Sequence, residues 1–134
     1  MKPLIFAALI IGLLAGCKPI TYKDAVVTKV VVREYDFDGP YPNDAVLALE
    51  GPDTYHEGQS YFYLNTEVVF DFLSMNVDKV GKDYTLTLYN QNGASLDEVG
   101  SVSFDMGDYR GQESFRLEGD NITMIVNVDW KKRF

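Results

Sequence analysis

The feature of this chain that most constrains its fold is a period of two in the positions of its apolar residues. Val102, Phe104 and Met106 alternate with polar residues. In the segment NITMIVNVDW, apolar residues fill every second position, and Ile125 is the exception; the alternating set is Ile122, Met124, Val126, Val128 and Trp130. Because successive side chains of a β-strand point to opposite faces, this pattern predicts half-buried antiparallel strands.

Similar short apolar runs recur along the chain, separated by turn sequences such as EGPD, VGKD and EGDN. Gly, Asp, Asn and Pro favour turns, so strands are predicted between these segments. The predicted strands are 26–35, 45–49, 61–63, 68–73, 84–89, 101–106, 114–117 and 122–130. About eight short strands at this spacing predict an all-β fold, an antiparallel two-sheet β-sandwich. No segment shows a sustained helical period.

The N-terminus has the layout of an export signal. Lys2 precedes an apolar run over residues 4–14, and two small residues stand before Cys17. This pattern predicts a signal peptide at residues 1–16, whose apolar core is too short for a stable transmembrane helix. Leu-Ala-Gly-Cys at 14–17 resembles the lipobox of bacterial lipoproteins. The resemblance implies cleavage before Cys17 and a covalent lipid on that cysteine; the alternative is a plain signal peptide with a chance cysteine.

This layout predicts the domain organisation and the location. Cys17 is the single cysteine, so an intrachain disulfide is excluded. Residues 17–24 are predicted as the acylated cysteine and a short tether, and residues 25–134 as one β-sandwich domain, a usual domain size. The lipobox resemblance implies a membrane-anchored lipoprotein of the bacterial cell envelope. Lys18 is not the aspartate that some bacteria use for retention at the inner membrane, which favours the outer membrane.

The charge balance narrows the classes of partner. Without Lys2 the chain carries 11 basic and 20 acidic residues, a net charge of −9. Nucleic-acid binding needs a basic footprint, so the composition argues against it. A surplus of acids also argues against simple electrostatic binding to anionic lipid. Cations or basic protein patches are the better-matched partners.

Catalytic motifs are not found in the sequence. His56 is the sole histidine, and neither a Gly-x-Ser-x-Gly elbow nor a phosphate-binding glycine loop occurs. We therefore predict that the protein is not an enzyme. Aromatic residues cluster in TYHEGQSYFYLN, at 54–65. They fit either a sugar- or protein-binding surface or a sandwich core with cross-strand pairs, and the core interpretation is favoured because β-sheets use many aromatics.

Three separated segments resemble a C2 domain in their order along the chain. In YDFDGPYPNDAVLAL, Asp38 and Asp44 precede a strand, as in the first calcium loop of that family. LNTEVVFDF resembles the next landmark, and LYNQNGASLDEVG resembles the third loop, with Asn90, Asn92 and Asp97 at its ligand places. The resemblance implies a C2-like sandwich with a calcium site made by these five side chains. The alternative is that Asp, Asn and Gly serve only as turn residues.

Two departures from the C2 pattern concern the metal. Asn90 and Asn92 replace carboxylates, and the gap between Asn92 and Asp97 is one residue short. Calcium takes 6 to 8 oxygen ligands, and fewer charged ligands weaken its binding. The third loop therefore predicts weak calcium dependence.

The leading functional hypothesis is a lipid-anchored cell-envelope binding module with a C2-like domain, weak calcium dependence and a protein partner in the envelope. One alternative is a structural lipoprotein subunit of an envelope assembly such as a type VI secretion system, whose small outer-membrane lipoprotein is also a β-sandwich. The other is a lipoprotein inhibitor of a cationic cell-wall enzyme, which the acidic surface would suit.

Overall fold

The structure is a computed structural model that describes residues 21–39, 43–63 and 66–133. The predicted signal peptide at residues 1–16 and the predicted lipid attachment at Cys17 lie outside the described residues. Within the described ranges the protein has no helix that is long and apolar enough to cross a lipid bilayer.

The described part of the chain forms nine strands and one short 3-10 turn at Met106–Tyr109. The strands are β1 Thr21–Glu34, β2 Asn43–Glu50, β3 Tyr55–Phe62, β4 Val68–Phe70, β5 Met75–Val77, β6 Asp83–Asn92, β7 Ser95–Asp105, β8 Ser114–Gly119 and β9 Ile122–Arg133.

The strands form two antiparallel sheets, which confirms the predicted all-β sandwich. The five-stranded sheet has the order β4-β1-β9-β8, and β5 pairs with the first half of β1. The four-stranded sheet has the order β3-β2-β6-β7. Apolar side chains from the inner faces of both sheets form one buried core.

The alternating segments face the core as their period predicts. Val102, Phe104 and Met106 are buried, and so are the four residues Ile122, Met124, Val126 and Val128 of β9. Trp130 packs against the edge of this core, and its indole N–H donates to the backbone carbonyl of Gln112 at 2.7 Å. The face of β9 that the sequence predicts to be buried is therefore correct.

The predicted limits of several strands were wrong. The strand predicted at 61–63 is the end of β3, which begins at Tyr55. The strand predicted at 68–73 ends at Phe70, and β5 was missed. Phe72 has a φ of 54°, which extended backbone does not allow, so the strand stops before it. At the N-terminus β1 begins at Thr21, so residues 21–24, predicted as tether, form part of this strand.

The two ends of the sandwich hold different turns. Ala25 near the start of β1 pairs with Val77, and the following turn is joined to the rest of the end by the backbone N–H of Lys79, which donates to Tyr84 Oη at 3.0 Å. This end, with the start of β1, is called the N-terminal end. The hairpin turn between β6 and β7 and the connection from β1 to β2 lie at the opposite end.

Candidate functional site

The segment that resembles the third calcium loop forms a tight hairpin. β6 continues to Asn92 and β7 begins at Ser95, so only Gly93 and Ala94 lie between the strands. Gly93 has a φ of 62°, the left-handed conformation that glycine supplies at the first central position of a type II′ hairpin turn. The residues expected to form a metal loop are therefore mostly paired strand.

This hairpin places two of the predicted ligands side by side. Asn90 lies directly opposite Asp97 on β7, and it accepts a hydrogen bond at its Oδ1 from the side-chain amide of Asn43. Directly opposite residues have Cβ atoms about 5 Å apart, so Asn90 and Asp97 are neighbours. Asn92 pairs with Ser95 at the turn.

The other predicted ligands lie in different surroundings. Asn90 is opposite Ala45, whose side chain is in the core. Asp44 precedes Ala45 on the same strand, so its side chain points to the outer face. Asp38 lies beyond β1, in the wall of an open cleft of about 440 Å³ that Arg33 also lines.

The five predicted ligands are thus divided among three places. Among the described residues, no group of three or more His, Cys, Asp or Glu side chains is close enough together to hold a metal ion. The calcium site stays a prediction, and the neighbouring pair Asn90 and Asp97 is the part of it that the strand pairing brings together.

A second surface lies on the outer face of the four-stranded sheet. The strand register places tyrosines and carboxylates beside each other across β3, β2, β6 and β7. We call this surface the tyrosine face, and its members are Asp44, Glu50, Tyr55, Glu57, Gln59, Tyr61, Tyr89, Gln91 and Glu98.

The tyrosine face has a floor of small, buried side chains. Val46 and Ala48 alternate with core residues and so point outward, yet they are only 2% and 0% exposed. Thr87, opposite Ala48, is 5% exposed. Because longer side chains on the flanking strands cover these residues, the face has a dry centre between projecting groups.

The projecting groups are half-exposed aromatic rings. Tyr55 and Tyr61 are 50% and 53% exposed, and Tyr63, just beyond β3, is 53% exposed. The rings of Tyr61 and Tyr63 lie 6.3 Å apart. Beside Tyr61 a cavity of about 240 Å³ opens, lined by Asp44, Ala45, Gln59, Ser60, Tyr61 and Gln91. Exposed tyrosines of this kind are common at protein-binding surfaces.

The charge of this face has one sign. Its four carboxylates, Asp44, Glu50, Glu57 and Glu98, are exposed. The four strands that carry the face contain no Lys or Arg, although the whole sequence has 12. The described ion pairs lie elsewhere: Arg33 with Glu67, Lys79 with Asp53, and Arg116 with Glu34 and Glu118.

Tyr55 and Glu57 show how these groups interact. The phenol of Tyr55 donates a hydrogen bond to Glu57 Oε1 at 2.6 Å. This bond, with a smaller contribution from burial and from the nearby charges of Glu57, Tyr89 and Glu50, raises the pKa of Tyr55 from 10.0 to about 12. The phenol therefore stays neutral and serves as a hydrogen-bond donor at ordinary pH.

The sequence analysis favoured a core role for the aromatic cluster at 54–65, and this was correct for one residue and wrong for three. Phe62 is fully buried, whereas Tyr55, Tyr61 and Tyr63 are half-exposed. The signal that could have revealed the face is the absence of Lys and Arg from four strand segments. It becomes visible only once these segments are known to share a sheet.

Phe72 is a further exposed aromatic that the sequence analysis did not single out. Its side chain is 96% exposed on a backbone with positive φ. The carboxylate of Asp71 accepts a hydrogen bond from the Phe72 N–H at 3.0 Å, and the Leu73 N–H donates to the carbonyl of Thr28 at 2.9 Å. Hydrogen bonds on both sides thus hold a conformation that a bulky residue rarely adopts.

Comparison with known proteins identifies the fold. No family model and no curated protein matches the sequence. Among solved structures, one of the paired C2 domains of extended synaptotagmin 2 matches with a TM-score of 0.53 and 9% sequence identity, over 85% of this chain and 44% of that chain. The chain therefore has a C2-like β-sandwich fold and spans less than half the length of the matched chain.

Proposed function

We propose that the protein is a lipid-anchored binding module of the bacterial cell envelope. The observation that carries the binding role is the tyrosine face, where half-exposed tyrosines surround a dry floor. The sequence Leu-Ala-Gly-Cys at 14–17 supports the anchor. The C2-like sandwich supplies a rigid body that holds the binding surface away from the anchor.

The proposed anchor defines an orientation. Four residue steps separate Cys17 from Thr21, the first residue of β1, and an extended chain spans at most about 3.6 Å per residue. A lipid on Cys17 therefore keeps the N-terminal end of the sandwich within about 14 Å of the membrane. The tyrosine face runs along the strands, so it is turned sideways and is open to a partner in the envelope.

The anchor is tested by replacing Cys17 with Ser in the full chain and separating membranes from soluble envelope proteins. We expect the wild type to sediment with membranes after a salt wash, because more than one acyl chain holds a protein firmly. The Cys17→Ser protein should appear in the soluble fraction with an unchanged circular dichroism spectrum, since Cys17 precedes the first strand.

Thr21→Ser, which keeps the cysteine, serves as the control and should sediment like the wild type. A Cys17→Ser protein that still sediments after the salt wash would show that something other than a lipid holds it to the membrane.

A further inference from the structure

We propose that the tyrosine face is the docking surface for a basic, arginine-bearing surface of a partner protein. This inference rests on the proposed role as a binding module and names the chemical class of its partner. Three properties of the face lead to it: the sign of its charge, its aromatic rings, and its inability to pair with a second copy of itself.

The charge selects a cationic partner. Asp44, Glu50, Glu57 and Glu98 are exposed on one face, and no Lys or Arg lies on the strands that carry them. Elsewhere on the described surface, carboxylates such as Glu67 and Glu118 already pair with arginines. Complementary charge across an interface steers association and disfavours partners of the wrong sign. The face therefore offers carboxylates that an incoming cation can reach.

The aromatic rings select arginine within the class of cations. A guanidinium stacks on aromatic faces and binds carboxylates through two parallel hydrogen bonds, whereas an ammonium does neither as well. Tyr61 lies directly opposite Asp44, and Tyr55 lies directly opposite Glu50. Each of these pairs puts an exposed ring beside a carboxylate, which is the combination that an arginine side chain can use at both its flat face and its edge.

A second copy of this chain does not fit the same face. Two copies that met through it would bring carboxylates against carboxylates without an intervening cation, since the strands that carry the face have no Lys or Arg. Juxtaposed like charges cost several kcal/mol in an interface. The occupant is therefore a different protein with an arginine-rich surface.

The experiment measures binding of fluorescent hexa-arginine, hexa-lysine and hexa-glutamate peptides by anisotropy. The protein is the full-length Cys17→Ser variant, purified in solution, so that the result does not depend on the lipid anchor. We expect saturable binding of hexa-arginine, weaker binding of hexa-lysine and none of hexa-glutamate. The double variant Tyr55→Ala, Tyr61→Ala should bind hexa-arginine at least about tenfold more weakly, because exposed aromatic anchors dominate such contacts.

Two triple variants with the same change in net charge separate the face from the rest of the surface. The variant of the face should lose most of the affinity, and the matched control on the side of the other sheet should lose less than about half, since distant exposed charges are screened by salt. The first set is Asp44→Asn, Glu50→Gln and Glu57→Gln, and the control set is Glu67→Gln, Glu118→Gln and Asp129→Asn.

Several outcomes would overturn the proposal. Absence of saturable hexa-arginine binding would do so, and so would equal losses in the two triple variants, which would indicate diffuse charge attraction. Unchanged binding by the tyrosine double variant, or a dimer in sedimentation that the face variants abolish, would also contradict it. Because the anchor is tested by membrane fractionation and the face by peptides in solution, failure of one leaves the other result intact.

Discussion

Tyr55 and Glu57 are two positions apart on the edge strand β3, and their hydrogen bond gives the tyrosine face a measurable pH dependence. The pKa of Tyr55 is raised to about 12, chiefly by the hydrogen bond to Glu57. A group whose pKa is raised by folding stabilises the folded state fully below its ordinary pKa. The contribution of Tyr55 is therefore complete below pH 10.0 and is lost as the pH rises to about 12.

An alkaline titration followed by phenolate absorbance tests this assignment. We expect one late tyrosine transition near pH 12, and Glu57→Gln should move it towards 10.0 because the charged acceptor is removed. Tyr55→Phe should abolish the late transition and so identifies it. A late transition that persists unchanged in Glu57→Gln would mean that the carboxylate is not its cause.

Phe72 marks the limit of prediction from sequence at the residue scale. Phenylalanine is typical of buried strand positions, and the alternation in VVFDF placed it in a strand. Its φ of 54° and its 96% exposure depend on hydrogen bonds made by its neighbours, one of them to Thr28 on another strand. A single local pattern carries no information about such a distant contact.

At the scale of the strands, the two sheets approach each other closely at Gly119, the last residue of β8. A Cβ at this position would lie 2.5 Å from the carbonyl oxygen of Ser101 and 2.9 Å from Val102 Cγ2. Backbone atoms of a paired strand cannot move aside easily, so the two sheets meet here on the condition that residue 119 has no side chain.

Gly119→Ala should therefore destabilise the protein by about 1 to 3 kcal/mol, the usual cost of overpacking. The free energy of unfolding is measured by denaturation in urea. Ser114→Ala, an exposed position on the same strand, should change it by less than about 0.5 kcal/mol. Equal stability of Gly119→Ala and the wild type would indicate that β7 and β8 are farther apart than the structure places them.

The strands that sequence analysis found and missed differ in a physical way. β7 and β9 bury one face, so their apolar residues alternate and the period of two is clear. β3 is an edge strand whose exposed positions hold Tyr, Glu and Gln, and β5 has three residues. An edge strand with little buried surface, or a strand shorter than two periods, gives no alternation to detect.

For the whole molecule, net charge was a poor guide to the surface. The value of −9 led to a cationic class of partner as a hypothesis, but it did not show that β2, β3, β6 and β7 lack every basic residue except His56. That segregation depends on which segments share a sheet. The C2 resemblance predicted the fold correctly, whereas the predicted calcium ligands Asp44 and Asn90 point to opposite faces of the four-stranded sheet.

The calcium prediction is tested on the whole molecule, because added cations also screen its net charge. If Asn90 and Asp97 bind calcium, the affinity should be on the order of 10⁻³ M or weaker, as in weak extracellular sites. At ten times the dissociation constant the stabilisation should be about 1.4 kcal/mol. We expect Asp97→Asn to abolish the calcium-specific rise in melting temperature and Asp44→Asn to leave it, since the latter residue is on the other face.

Magnesium at matched ionic strength is the control for screening. A greater rise with calcium than with magnesium, lost in Asp97→Asn, would establish the site. Equal rises with both ions in the wild type and in both variants would assign the effect to general screening and leave the β6–β7 turn without a metal role.

The long first strand also determines how the protein would bear mechanical load. β1 has 14 residues and is hydrogen-bonded to β9 on one side and to β4 and β5 on the other. A pull applied ahead of Thr21 acts along this strand, at right angles to its hydrogen bonds, so the bonds resist in shear together and do not open one after another. Since the tyrosine face belongs to the other sheet, tension between a docked partner and the anchored end would pass through the apolar core. The sandwich would then serve as a stiff coupling between the membrane and its partner.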